Sequence, residues 1–375
     1  MLECEVIVIG AGAAGLFCAI EAGKRGRKVL VLEHSETVGK KIRISGGGRC
    51  NFTNVWTSAD NFISANPHFC KSALARFTPV DFISLVEKHG IAYHEKKLGQ
   101  LFCDGSAQQI IDMLLRECED VGVETRCNCR VLDVNKEERD RFRITTNQGT
   151  LACSSLIIAT GGLSIAQLGA TDFGYRIARQ FGLQIEPTRP GLVPLTLSAQ
   201  MQKRLTTLSG ISLDAVVSSG GKEFRENILV THRGLSGPAI LQISTYWRPG
   251  ETVSINLLPD LDVLELLMHT SSGENSGIEL ANLLARHLPR RFAEVWCELY
   301  APSKPLKQHN NRELSDVAQR IHNMQITPTG TEGFKKAEVT AGGVSTAELS
   351  SQTMEAKLVP GLYFIGEVVD VTGQL

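Results

Sequence analysis

The hydrophobic pattern opens with four apolar residues in a row, Val6-Ile7-Val8-Ile9, with no polar alternation. An unbroken apolar run of strand length predicts a strand covered on both faces, as in a parallel sheet. The run enters Gly10-Ala11-Gly12-Ala13-Ala14-Gly15, and an apolar helical stretch from Leu16 to Ala22 follows. A second apolar run, Val29-Leu30-Val31-Leu32, ends at Glu33. Strand, glycine turn, helix, strand and acid in this order make a complete dinucleotide-binding β-α-β pattern. Gly10 permits the tight turn, Gly12 lets the backbone approach a pyrophosphate, and Gly15 lets helix and strand pack closely. The helix N-terminus offers unpaired N–H groups and the positive end of its dipole to phosphate. Glu33 can accept hydrogen bonds from a ribose 2′-OH and disfavours a 2′-phosphate. FAD or NAD therefore fits this motif better than NADP, and the motif alone does not separate the two.

Further along, residues 67–90 have a helical apolar face, 98–104 read as extended, and 107–118 read as an amphipathic helix. Residues 123–134 alternate as one strand, on which Cys127 and Cys129 share a face. Short strands are expected at 142–146 and 149–153. Leu156 to Gly162 reads as a buried strand ending in a glycine turn, the position where an open α/β sheet binds its ligand. From about 191 the pattern changes to short strands at 211–217, 223–231 and 252–258. A glycine-rich turn from Thr231 to Pro238 precedes a short apolar helix, and 260–323 is helical with basic positions. The chain thus predicts an α/β fold: a discontinuous dinucleotide-binding domain, 1–190 and 336–375, interrupted by an inserted β-rich domain, 191–335, whose helical part spans about 260–323.

Composition narrows this only slightly. The 375 residues are 42% hydrophobic and 21% charged, with a formal net charge of −1, so nothing pulls the whole chain toward nucleic acid or an anionic membrane. No apolar stretch approaches transmembrane length and the first strand begins at once, which predicts a cytoplasmic protein without a leader. The ten cysteines are scattered, as structural thiols are, and no metal site is expected. His68, His89 and His94 read as surface or packing residues. The loop from Val38 to Asn54 is glycine-rich and basic, and Lys40, Lys41, Arg43 and Arg49 can meet phosphate there.

Taken together, Gly10 to Gly15, Ser45-Gly46-Gly47-Gly48-Arg49-Cys50-Asn51-Phe52-Thr53-Asn54, Ala159-Thr160-Gly161-Gly162, Thr231 to Pro238 and Gly366-Glu367-Val368-Val369-Asp370-Val371-Thr372-Gly373 resemble the YhiN/BaiN-like family of FAD-dependent oxidoreductases, in its proteobacterial YhiN branch. The resemblance covers the whole chain. It implies a glutathione-reductase-like FAD-binding Rossmann domain with an inserted β-barrel-like domain and a helical part. It implies cofactor contacts from Gly10, Gly12, Ala13, Ala14, Gly15, Glu33, His34, Lys41, Ser45, Gly46, Gly47, Arg49, Cys50, Asn51, Asn54, Val131, Thr160, Gly161 and Gly162, with Gly366, Glu367 and Asp370 near the ribityl chain and flavin ring. Family members continue beyond the position of Leu375 with a glycine-rich turn and a final helix.

FAD would carry the electron transfer, with the protein supplying orientation and electrostatics. No second GxGxxG marks a separate NADPH domain, so NAD(P)H is expected as a transient reductant over the flavin. No cysteine pair has redox-disulfide spacing after the first motif, which excludes a disulfide reductase of that type. Two catalytic candidates stand out. Cys50, beside Arg43 and Arg49, is either a thiolate of lowered pKa acting as an acid–base group or a packing residue under the flavin ring. His232 is either a proton donor or part of a turn that caps the following helix. Family members reduce conjugated double bonds in steroid-like substrates, oxidise amines, or reduce uracil to dihydrouridine in ribosomal RNA. The last is the leading expectation: hydride to C6 and a proton to C5 of an extruded base, with basic residues of the helical part on the RNA backbone. A small-molecule reductase or oxidase and a non-catalytic flavin redox sensor are the alternatives.

Overall fold

The computed structural model describes residues 2–137 and 141–375. The chain divides into two compact units, Met1–Arg189 with Val339–Gln374, and Pro190–Glu338 with Leu375.

The first unit is built on a five-stranded parallel sheet. Its elements are β1 (Val6–Ile9), α1 (Ala13–Lys24), β2 (Val29–Leu32), α2 (Gln108–Asp120), β3 (Glu124–Arg126), β4 (Ser155–Ile158) and β5 (Leu362–Phe364). The strand order is β5-β4-β1-β2-β3. The unbroken apolar runs are explained by two cores, one on each face. Ile7, Ile9, Leu30, Leu32, Leu156 and Ile158 join Phe142, Tyr175 and Phe364 in one cluster. Their neighbours Val6, Val8, Val29, Val31 and Ile157 join Leu16 and Ile20 of α1 and Ile111 and Leu114 of α2 in the other. Successive side chains on a strand point to opposite faces, so every position of a doubly covered strand must be apolar.

Two expectations are corrected here. Residues 67–90 form two helices, Lys71–Arg76 and Pro79–Lys88, because Thr78 and Asp81 form a reciprocal capping box with Pro79 at the first helical position. Residues 123–134 do not form one strand. Asn128 takes a left-handed conformation, φ 53°, in a turn that sends Glu124–Arg126 into the parallel sheet and Val131–Glu137 to the antiparallel edge of a separate, mixed sheet. Cys127 and Cys129 therefore flank a turn and share no strand face.

The second unit holds a seven-stranded antiparallel sheet in the order 324–326, 253–256, 212–219, 222–230, 234–236, 195–196, 330–331. This is the form taken by the expected barrel-like insertion; among the described residues its two edge strands do not pair with each other. Helices Val263–Ser272, Arg290–Tyr300 and Asn311–His322 supply Leu267, Phe292, Trp296 and Leu314 to its core. No helix among the described residues is long and apolar enough to cross a membrane.

Candidate cofactor site

At the C-terminal edge of the parallel sheet the first unit opens into a cleft of about 640 Å³. Its floor is the Gly10–Gly15 turn between β1 and α1. Gly10 has φ +109°, and a Cβ there would lie 2.4 Å from the Ala159 carbonyl oxygen. A Cβ on Gly15 would lie 1.9 Å from the Gly10 carbonyl oxygen. Gly12 has no heavy atom within 4 Å of its Cβ position, so its bare backbone faces open space at the start of α1. The first N–H groups of a helix have no intrahelical acceptor, and no side chain caps this one. The result is an anion cradle made of backbone.

Beside the cradle, the buried Glu33 carboxylate is held by two backbone donors. Ala11 N–H donates to Oε2 at 3.0 Å and Ser35 N–H to Oε1 at 2.9 Å. His34 Nδ1 lies 3.2 Å from the same Oε1. With one N–H on each oxygen, lone pairs remain for further donors such as ribose hydroxyls.

A charged network occupies another part of the cleft. Lys41 Nζ donates to Glu367 Oε2 at 2.6 Å and to Ser164 Oγ at 2.8 Å. Glu367 Oε1 accepts from Ser164 Oγ and from Thr340 N–H, both at 2.8 Å. The Thr340 hydroxyl in turn accepts the N–H groups of Leu163 and Ser164 at 2.8 and 3.1 Å. This fixes the turn after β4 to the returning strand Val339–Val344. Ser164 and Thr340 are fully buried and were not anticipated from sequence. The only signal was a polar residue inside an otherwise apolar or glycine run.

Of the residues anticipated at the cofactor, Gly10, Gly12, Ala13, Ala14, Glu33, His34, Lys41, Val131, Thr160, Gly161, Gly162, Gly366 and Glu367 line the cleft, while Gly15 supports its floor. The rim also includes Ser35, Ile165, Gly169, Thr171 and Phe173, which sequence reading missed because nothing local marks them. Ser45, Gly46, Gly47, Arg49, Cys50, Asn51, Asn54 and Asp370 lie outside the cleft wall. Asn54 is engaged with the neighbouring hairpin, donating from Nδ2 to the Leu98 carbonyl at 3.0 Å. Asp370 is buried and accepts the Ala65 N–H at 2.7 Å. Burial pushes its carboxyl above the usual range, against the pull of that N–H.

Cys50 is buried, at φ 52°. Burial pushes its thiol up, with the Ser45 side chain opposing. The lowering expected from Arg43 and Arg49 is absent because both guanidinium groups are exposed, where solvent screens them. His232 and Arg233 are exposed in the second unit, and Arg233 Nη1 lies 3.8 Å from Glu332.

The site suits a dinucleotide carrying a pyrophosphate and a ribose. The Gly12 cradle is open, Glu33 retains acceptor capacity, and Thr160 of the cleft wall carries a buried hydroxyl, Oγ1, without a hydrogen-bond partner.

Comparison with known proteins agrees with this geometry. The family model described as the HI0933-like protein Rossmann domain matches residues 4–375. The chain is 55% identical over 377 residues to the ribosomal RNA dihydrouridine synthase of Escherichia coli (strain K12), covering 100% of this chain and 94% of that protein. It is 48% identical over 376 residues to the protein of the same name from Haemophilus influenzae, covering 99% and 93%. It is 26% identical over 384 residues to the 3-dehydro-bile acid delta(4,6)-reductase of Clostridium scindens, covering 98% and 93%. With a dinucleotide-binding fold and a family match that spans nearly its whole length, this chain belongs to the HI0933-like family.

Proposed function

We propose that this protein is an FAD-dependent oxidoreductase that reduces uracil to dihydrouridine in ribosomal RNA, with NAD(P)H as reductant. The observation that carries the reading is near-full-length identity to two ribosomal RNA dihydrouridine synthases, in a chain whose cleft has the donors and shape for a dinucleotide. When bound, FAD supplies two-electron exchange between a nicotinamide and an acceptor double bond. The Gly10–Gly15 backbone and the α1 N-terminus hold the pyrophosphate, Glu33 the adenosine ribose, and Lys41 and Glu367 the polar chain toward the flavin. The Ser45–Asn54 loop and Asp370 complete the site on the flavin side.

Reduction of the uracil C5=C6 bond also requires a proton at C5. Cys50 or, alternatively, His232 is the side chain we propose as its donor. A thiol pushed up by burial stays protonated at neutral pH, the form that can donate. Exposed Arg286 and Arg291 of the second unit can meet backbone phosphate, whereas Arg290 already pairs with Glu294 at 3.0 Å.

The test is an anaerobic titration of the FAD-loaded protein with NADPH and NADH, followed at the flavin absorbance band, then addition of deproteinised, unmodified ribosomal RNA. Bleaching by nicotinamide and RNA-dependent recovery, with dihydrouridine found in the RNA, is expected. Bleaching without recovery would point to a small-molecule acceptor. Cys50→Ala and His232→Ala then divide the proton donor, since the true donor's loss slows RNA-dependent recovery but not bleaching.

A further inference from the structure

One end of the three-stranded sheet formed by 51–54, 100–103 and 93–97 carries apolar side chains that no core uses. Trp56 is 76% exposed and Leu98, in the facing turn, 58%. Val55, beside Trp56, is exposed as well. Trp56 and Val55 meet beside Gly99, which follows Leu98 in the turn, for the Cβ position of Gly99 lies 2.5 Å from Trp56 Cδ1 and 2.9 Å from Val55 Cγ2. The turn is held in place: Val55 N–H donates to the Gly99 carbonyl and Trp56 N–H to Asn54 Oδ1, both at 2.9 Å. The indole is thus presented to solvent on a fixed backbone. The chain's other two tryptophans, Trp247 and Trp296, are buried, which is the usual place for so large an apolar surface.

The same sheet continues into unneutralised positive charge. Lys96 Nζ lies 5.1 Å from the centre of the Phe102 ring, and Phe102 packs against the Gly46 turn. Arg43, in the short helix before that turn, and Arg49, at the turn's end, are exposed, and among the described residues neither they nor Lys96 has a carboxylate within ion-pair distance. Of the nearby acids, Asp104 pairs with His94 at 2.6 Å, while Glu95 accepts the Gly99 N–H at 2.9 Å and keeps its charge at the surface. Strand Asn51–Asn54, an extended segment of roughly 10 Å, lies between Arg49 and Trp56.

An aromatic face at one end of a cationic track is the combination that binds unpaired nucleotides: the ring stacks on any base while the cations follow the backbone. We propose that this patch is a single-stranded RNA contact surface, with Trp56 stacking on an unpaired base and Arg43, Arg49 and Lys96 neutralising phosphates. The proposal rests on the reading of the chain as an RNA reductase. Extruding a uracil leaves unpaired neighbours that such a platform holds open.

Acrylamide quenching of tryptophan fluorescence tests it on the full-length, FAD-loaded protein with deproteinised, unmodified ribosomal RNA as the probe. RNA should shield Trp56 from acrylamide. Trp56→Ala should weaken RNA binding about tenfold while leaving flavin content and nicotinamide-driven bleaching unchanged. Lys96→Glu should reduce the salt dependence of binding by about one phosphate contact. If the wild-type protein binds and reduces RNA while Trp56 stays quenchable, and Trp56→Ala behaves as wild type, the surface is overturned and the function stands. If the wild-type protein neither binds nor reduces RNA, both fail together. Shielding by ribosomal protein and not by RNA would assign the patch to a protein partner and overturn the RNA surface.

Discussion

Two glycine-rich turns in the first unit look alike in sequence and differ in what they demand. In Gly10–Gly15, Gly10 and Gly15 are required because neighbouring backbone occupies the space of a side chain, with carbonyl oxygens 2.4 and 1.9 Å from the Cβ positions. In the Ser45–Asn54 loop, Gly47 has open space around it but takes φ +68°, a conformation that L side chains avoid. The first turn is fixed mainly by packing; the second combines packing at Gly46, whose Cβ position lies 2.7 Å from the Asn51 nitrogen, with a positive φ in open space at Gly47. A packed turn presents its N–H groups at set positions. Where φ alone sets the backbone, as at Gly47, a turn can change shape at modest cost when a ligand or partner arrives.

Substitutions separate the two kinds of constraint. Gly15→Ala is expected to cost about 3 kcal/mol or more, since backbone must move to admit the methyl group; chemical denaturation of the flavin-free protein measures this, and a loss under about 1 kcal/mol would show the turn to be adaptable. Gly12→Val should behave oppositely within the same turn. Stability should hold within about 0.5 kcal/mol, because nothing surrounds its Cβ, while flavin affinity is lost as the side chain enters the phosphate cradle. Full flavin occupancy in that variant would falsify the cofactor assignment.

Gly47→Ala should cost about 1 kcal/mol through backbone strain alone. Thermal unfolding with and without added FAD distinguishes this from a contact effect. The smallest effect concerns Cys50. Its thiol is pushed up by burial, so the thiolate is scarce at neutral pH. Alkylation at this cysteine, followed by peptide mass spectrometry, should be slow until the pH rises past the ordinary cysteine value of about 8.5. Rapid alkylation at neutral pH would mean that the loop opens or that the arginines come closer to the thiol.

The sequence was most legible where the determinants are local. The β1–α1–β2 unit could be read directly because each apolar position reports its own burial and each glycine its own turn. The same holds for Glu33, whose place at the end of β2 follows from strand length. Reading failed where a turn was hidden among strand-forming residues. Cys127-Asn128-Cys129 alternates like a strand, yet Asn128 tolerates φ 53° and the chain changes sheets there. At Thr78-Pro79-Val80-Asp81 the capping signal was present, but the apolar periodicity ran across it.

The sequence by itself determined the class of fold, the dinucleotide turn and the acid beside it, because these depend on residues close in the chain and on backbone sterics. Only the tertiary structure decided which distant residues meet in the cleft. Lys41, Ser164, Thr340 and Glu367 share one hydrogen-bond network although 326 positions separate its first and last members. It also decided that Cys50 is buried, so that desolvation and not its charged neighbours sets the direction of its thiol's shift. Hydrogen bonding and desolvation depend on what surrounds a group in space, and chain order does not record that.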